Sequence, residues 1–227
     1  MQLITRMMAL LSFLVMVNYA NAAGNSVYVD QIGDGSTINI TQTGNSNAVG
    51  NATVKATFNG QNNIVTIDQI GNTNVANVSV SGDGVTVNSN VTGDNNSVGI
   101  ACGAGGSCSG STITNTITGD GNTVTQNIDG VSLSSVTINT DNNTVNIQSD
   151  STAVSGSKST VLIDGGGGND VAIKQTGVAG LNGHEADVNI LGATNTVDIK
   201  QGGNVDSKVI STITGSGNAL TVKSNHN

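Results

Sequence analysis

Few residues in this 227-residue chain carry atoms suited to catalysis or metal binding, and their spacing decides what each can do. Cys102 and Cys108 enclose Gly103 to Ser107 within a Gly-rich stretch, 101–110, that interrupts the surrounding pattern. In an exported chain, two thiols so placed are expected to form an intraloop disulfide. The loop-entropy account gives such a bridge about 2 kcal/mol, and a bridge in an insertion should be dispensable for the fold. A metal centre needs further ligands, and the only imidazoles are His184 and His226. His184 and Glu185, the one Glu in the chain, follow a glycine, and no Ser, Cys or second acid is placed beside them by any motif. A solvated loop is the expectation there, not an active site. The recurring Gly pairs form no dinucleotide fingerprint, because no helix pattern follows them. The fifteen acids are mostly single Asp residues at turns, so the carboxylate cluster of a carbohydrate-active enzyme is missing.

The segment Asp164 to Asp170, DGGGGND, resembles one calcium-binding nonapeptide of the repeats-in-toxin type. Those sites are built between successive copies, and this copy stands alone, so a plain glycine turn is expected. The functional groups that do recur are side-chain amides. Gly33 to Gly44 reads GDGSTINITQTG, and Gly60 to Gly71, Gly166 to Gly177 and Gly192 to Gly203 repeat its plan at the same length. The shared pattern is Gly-x-x-Asn/Ser-x-Val/Ile-x-Ile-x-Gln-x-Gly. Its specified positions fall two residues apart, the period of a strand. Asn63, Val65, Ile67 and Gln69 therefore share one face, and Ile64, Thr66 and Asp68 the other. Inward amides cost about 1 to 3 kcal/mol each if unpaired, whereas like amides one coil apart can bond to each other.

These amides need elements that stack. Gly-x-x-Asn recurs at Gly44/Asn47, Gly60/Asn63, Gly71/Asn74, Gly93/Asn96, Gly119/Asn122, Gly166/Asn169, Gly192/Asn195 and Gly215/Asn218, with Val/Ile alternation beside each. The unit is strand, Gly-x-x-Asn turn, strand, then a looser connection. That is the arithmetic of a solenoid coil rather than of a sandwich. One coil cannot bury enough apolar surface to offset its own ordering, so coils must stack with strands about 4.8 Å apart. A one-residue slip would turn amides and aliphatics to solvent, which fixes the register. The fold expected is all-β, a β-solenoid with essentially no helix.

Composition agrees. The chain is 10% charged and 2% aromatic, with 31 Gly and no Pro. Disorder is the competing reading of such a sequence, but disordered chains are usually charged and poor in β-branched residues. Here Val, Ile and Thr are frequent, and without Pro every backbone N–H can join a ladder. Residues 1–22 read as a signal peptide: Arg6, an apolar run from Met7 to Val17, and Ala20-Asn21-Ala22 as the cleavage site, with an uncleaved anchor as the alternative. The domain expected is 23–227, with the Gly/Cys-rich insertion at 101–110. No later stretch is long and apolar enough to span a membrane as a helix. Losing Arg6 takes the net charge from −8 to −9 and leaves no Arg, so nucleic-acid binding is not expected. An outer-membrane barrel would need aromatic girdles that this chain lacks.

The spacing Gln-x-Gly-x-x-Asn-x-Ala/Val-x-x-x-Gln resembles the curlin repeat of curli, the secreted amyloid fibres of bacterial biofilms. Gln31 with Gly33, Ser36, Ile38 and Gln42 carries it, as do Gln42 with Gly44, Asn47 and Val49, and Gly60 with Asn63, Val65 and Gln69. Gln69 with Gly71 and Asn74, and Gly166 or Gly192 through Gln175 or Gln201, complete the match. From Val78 to Asp150 the turns persist but the leading Gln is mostly lost. The resemblance implies a secreted, non-enzymatic fibre subunit that binds copies of itself, with adhesion and matrix building as its role and no cofactor. A nucleator, a secretion channel, and a host surface or matrix are the other partners it implies. The ladder residues expected are Gln31, Gln42, Asn47, Asn63, Gln69, Asn74, Asn169, Gln175, Asn195 and Gln201, turned by Gly33, Gly44, Gly60, Gly71, Gly93, Gly119, Gly166, Gly192 and Gly215. The start shows no evident edge cap, while Lys223 and the polar tail can blunt the other end. A reading from another class stays open: a soluble or viral-fibre binding module whose solenoid face presents Thr, Asn and Asp to carbohydrate or a cell surface.

Overall fold

Alternation and glycine punctuation produce two parallel sheets in the computed structural model, which describes residues 14–20, 23–103, 108–130, 132–150, 156–176, 183–203 and 205–226. No helix occurs among them. The front sheet is nine strands in the order β1 (Leu14–Ala20), β4 (Thr37–Thr43), β7 (Ile64–Ile70), β9 (Thr86–Thr92), β11 (Thr112–Thr118), β13 (Ser132–Ile138), β15 (Ser157–Asp164), β17 (His184–Leu191) and β19 (Ser207–Thr214). The back sheet runs β2 (Ser26–Val27), β5 (Ala48–Val49), β8 (Val75–Ser81), β10 (Ser97–Cys102), β12 (Thr123–Asp129), β14 (Thr144–Asp150), β16 (Asp170–Thr176), β18 (Thr196–Gly203) and β20 (Ala219–His226). β3 (Val29–Ile32) and β6 (Ala56–Asn59) continue its first two rungs. The chain alternates between sheets, so each strand pairs with the one three elements on up to β5, where β3 and β6 add a step, and two elements on from β6 onward: a β-solenoid.

In-register pairing makes columns of like residues. Inside the front sheet Ile38, Val65, Val87 and Ile113 stack, and beside them Gln42, Gln69, Val91, Ile117, Ile138, Ile163, Ile190 and Ile213. The back sheet answers with Val49, Ala76, Val98, Val124, Val145, Val171 and Val197. These side chains are buried, and facing columns of Val and Ile fill the space that aromatic residues fill in ordinary cores.

The two corners differ. Between front and back strands the chain turns through Gly-x-x-Asn nearly every time. Between back and front strands the connections vary, and Gly103 and Cys108 lie there. The third position of the Asn turn is left-handed at Ser46, Thr73, Asn95, Asn142 and Thr194.

Two expectations need correction here. Cys102 is bonded to Cys108, but both sulfurs lie in the core rather than in an external loop. Cys102 takes the inward position at the end of β10, paired with Val80, and both cysteines are buried. Ala101 and Cys102 therefore belong to β10 rather than to an insertion. The start of the chain also differs: β1 pairs with β4 over seven positions, Leu14↔Thr37 through Ala20↔Thr43, so the first front edge is covered. The expected signal peptide otherwise lies outside the described residues.

Candidate functional site: the amide ladders and the open ends

The corner asparagines form one continuous column. The Oδ1 of Asn47 accepts both the backbone N–H and the Nδ2 of Asn74, at 2.9 and 3.1 Å. Asn96, Asn122, Asn143, Asn169, Asn195 and Asn218 repeat that pair of bonds, each donating to the asparagine before it. Most Nδ2 groups also donate to the glycine carbonyl of the next rung, Asn74 to Gly93 and Asn96 to Gly119 for example. Asparagine fits this corner because one amide accepts for the rung after it and donates in both directions, satisfying buried backbone groups that a tight turn leaves unpaired. Successive members are between 21 and 27 residues apart, so the ladder keeps its spacing while the opposite corner absorbs the differences in coil length.

The glutamines behave otherwise. Gln42 Nε2 donates to Gln69 Oε1 at 2.9 Å in the front sheet, and Gln201 Nε2 to Gln175 Oε1 at 2.8 Å in the back sheet. These are two separate pairs in two different sheets, so the four best copies of the sequence pattern do not form one stack. Gln31 joins neither pair. It stands in the back sheet opposite Phe58, which offers no hydrogen bond, and its Oε1 has no partner. Asn63 also departs from expectation. It lies at the other corner, where its N–H donates to Ser36 Oγ and its Oδ1 accepts from the N–H of Val85.

That second corner is a column of Ser36, Asn63, Val85, Ser111, Ser132, Ser157, His184 and Ser207. Gly33 and Gly60 turn here, whereas Gly44, Gly71, Gly93, Gly119, Gly166, Gly192 and Gly215 belong to the asparagine corner. His184 is therefore buried at the head of β17, not in a solvated loop. Burial lowers its pKa, and the nearby Asp206 charge acts in the opposite direction. Glu185 faces out between two lysines one rung away on either side, Lys158 at 3.1 Å and Lys208 at 2.9 Å, whose hydrogen bonds lower its pKa. The sequence reading also missed the buried pair in the middle coils, where Gln126 Nε2 donates to Asn115 Oδ1 at 2.7 Å. The signal was available: an Asn interrupts the Ile/Val positions of TITNTIT, and a Gln those of TVTQNID.

No family model, curated protein or solved structure matches this chain. Geometry alone must then locate where it acts. Among the described residues no group of three metal-ligating side chains comes together. Along the inward positions burial changes toward the two ends. Inward aliphatics of the middle coils are covered, and those packed against the core but left partly open are Val27, Val29, Val209, Leu220 and Val222. All five lie on the first or last coil. β2 and β3 at one end, and β19 and β20 at the other, each have a neighbour on one side only.

Proposed function

We propose that this chain is the structural subunit of a secreted, curli-like extracellular fibre, acting in adhesion and matrix building without catalysis. The observation that carries the reading is the pair of unfinished ends. A strand with one free edge presents a row of N–H and C=O groups, and natural proteins usually blunt such edges with Pro, Lys or a covering element. Here the last coil carries one such residue, Lys223, but offers Leu220 and Val222 half-covered beside open backbone. The resemblance to the curlin repeat agrees with this, and so does a disulfide in an acidic chain preceded by a leader-like segment.

Electron microscopy of the concentrated, purified protein tests the proposal. Unbranched fibres giving a cross-β reflection near 4.8 Å are expected. A protein that stays monomeric at high concentration would point to the second reading, a binding module. That reading has its own support: the outward face of β9, β11 and β13 is uncharged and rich in small polar groups, with Thr86, Asn88, Asn90 and Thr92 beside Thr112, Thr114, Thr116 and Thr118. Retention on an insoluble polysaccharide, lost when Thr114 and Thr116 are replaced by Lys, is what that module would show.

A further inference from the structure

The asparagine ladder is unfinished at both ends, and the two ends are complementary. At its start Asn25 Oδ1 accepts the N–H of Asn47, but Asn25 Nδ2 is buried without a partner. In the later rungs that Nδ2 donates to the Oδ1 of the preceding asparagine. At its finish Asn218 donates to Asn195, while Asn218 Oδ1 accepts no bond among the described residues. The backbone repeats the complement. The residue after each asparagine donates its N–H to the C=O of the next one, as Ser26 does to Asn47 and Thr196 to Asn218. Ala219 follows the last asparagine and has no next rung in its own chain.

We infer that copies of this chain stack head to tail in one register, Asn25 of each following Asn218 of the copy before it. Asn25 Nδ2 then donates to Asn218 Oδ1, and the Ala219 N–H to the Asn25 carbonyl. The columns agree with that register. It sets Val27 on Leu220 and Val29 on Val222, joining the half-covered aliphatics of the two ends, and brings Ser224 to the unpaired Oε1 of Gln31. A head-to-head contact would set donor against donor at Asn25, and a tail-to-tail contact acceptor against acceptor at Asn218. The assembly is therefore polar. This rests on the fibre reading and adds its partner, register and direction.

Two single variants of the full chain, Asn25→Cys and Asn218→Cys, test it. One rung separates the positions across a junction, a span that a disulfide bridges, whereas within one solenoid they lie at opposite ends. Mixed and allowed to assemble in air, the two variants should give a covalent dimer on a non-reducing gel, and neither should do so alone. A third variant, Asn218→Leu, removes the acceptor and should slow elongation of seeds about tenfold or more, because it leaves Asn25 Nδ2 buried and unpaired. Fibres that form without the mixed dimer, or a dimer from either variant alone, would overturn the register and leave the fibre reading standing. A mixed dimer without fibres would support the register and remove the fibre. Wild-type protein that does not assemble, together with mixed variants that do not cross-link, sinks both.

Discussion

A glycine in this chain is either a turn residue or a spacer against the next rung, and substitution tells them apart. Gly93 and Gly217 both have positive φ, +127° and +73°. A Cβ at Gly217 meets nothing, so Gly217→Ala should cost only the strain of the left-handed backbone, about 1–2 kcal/mol. A Cβ at Gly93 would fall onto the Gly119 carbonyl of the next rung, which is backbone and cannot yield. Gly93→Ala should therefore cost more than about 4 kcal/mol, visible as a large loss of melting temperature beside a small one. His184 supplies a different reading at the same scale. Burial holds its folded pKa below the ordinary imidazole value of about 6.5, so between those two pKa values the unfolded chain binds more protons. Its contribution to stability is complete above about pH 6.5 and falls as pH drops through the folded value. Serine occupies the rungs on either side, Ser157 and Ser207. His184→Ser should flatten the stability profile between pH 7 and 5 in urea titrations. An unchanged slope would mean that His184 is not what titrates.

At the scale of the element, the coil was legible and its assignment to sheets was not. Period-two alternation between glycines marked the strands, and Gly-x-x-Asn marked the turn between front and back. What misled was that both corners can use the same turn. Gly60 with Asn63 reads like Gly71 with Asn74, yet a strand later one column continues as asparagine and the other as Val85 and Ser111. Twelve-residue segments alike in pattern therefore fell into different sheets, Gln42 and Gln69 in front, Gln175 and Gln201 behind. Only the three-dimensional register, set by the coil length between them, separates these cases. Cys102 was misread for a related reason: its neighbours look like an insertion, but its own position continues the alternation of Val98 and Ile100. The distinction is measurable. Gln69→Leu removes the shorter of the two bonds made by Gln42 Nε2, leaving only that to the Ser26 carbonyl, and should cost about 1 to 3 kcal/mol. Gln31→Leu exchanges a half-buried amide whose Oε1 is unpaired for an apolar group on Phe58 and should be neutral or stabilising. In the corner, Asn122→Leu takes the acceptor from the N–H of Asn143 and from one bond of its Nδ2, while Asn96 Oδ1 keeps the backbone N–H of residue 122, and should cost about 1–3 kcal/mol by the same account. Denaturant melts of the three variants rank them.

Over the whole molecule, each coil touches only its neighbours, so stability should be graded along the axis rather than shared evenly. Hydrogen exchange on the monomer should find the slowest amides in β9 to β13 and the fastest in β19 and β20, and circular dichroism should show β structure without helix. Uniform protection from end to end would mean that the solenoid unfolds as one unit. The pairing of β1 with β4 has a further consequence, one of parity. A cut after Ala22 falls between β1 and β2, leaving a chain with nine back rungs but eight front ones. Such chains, stacked so that their back sheets run on without a break, would lack one front strand at every junction. The result is a notch about 5 Å high, repeating about every 43 Å for nine rungs at 4.8 Å, as wide as one seven-residue strand. An uncut chain fills its own notch. The axial diffraction of a fibre would then report whether the segment before Ala23 is removed or built into the wall.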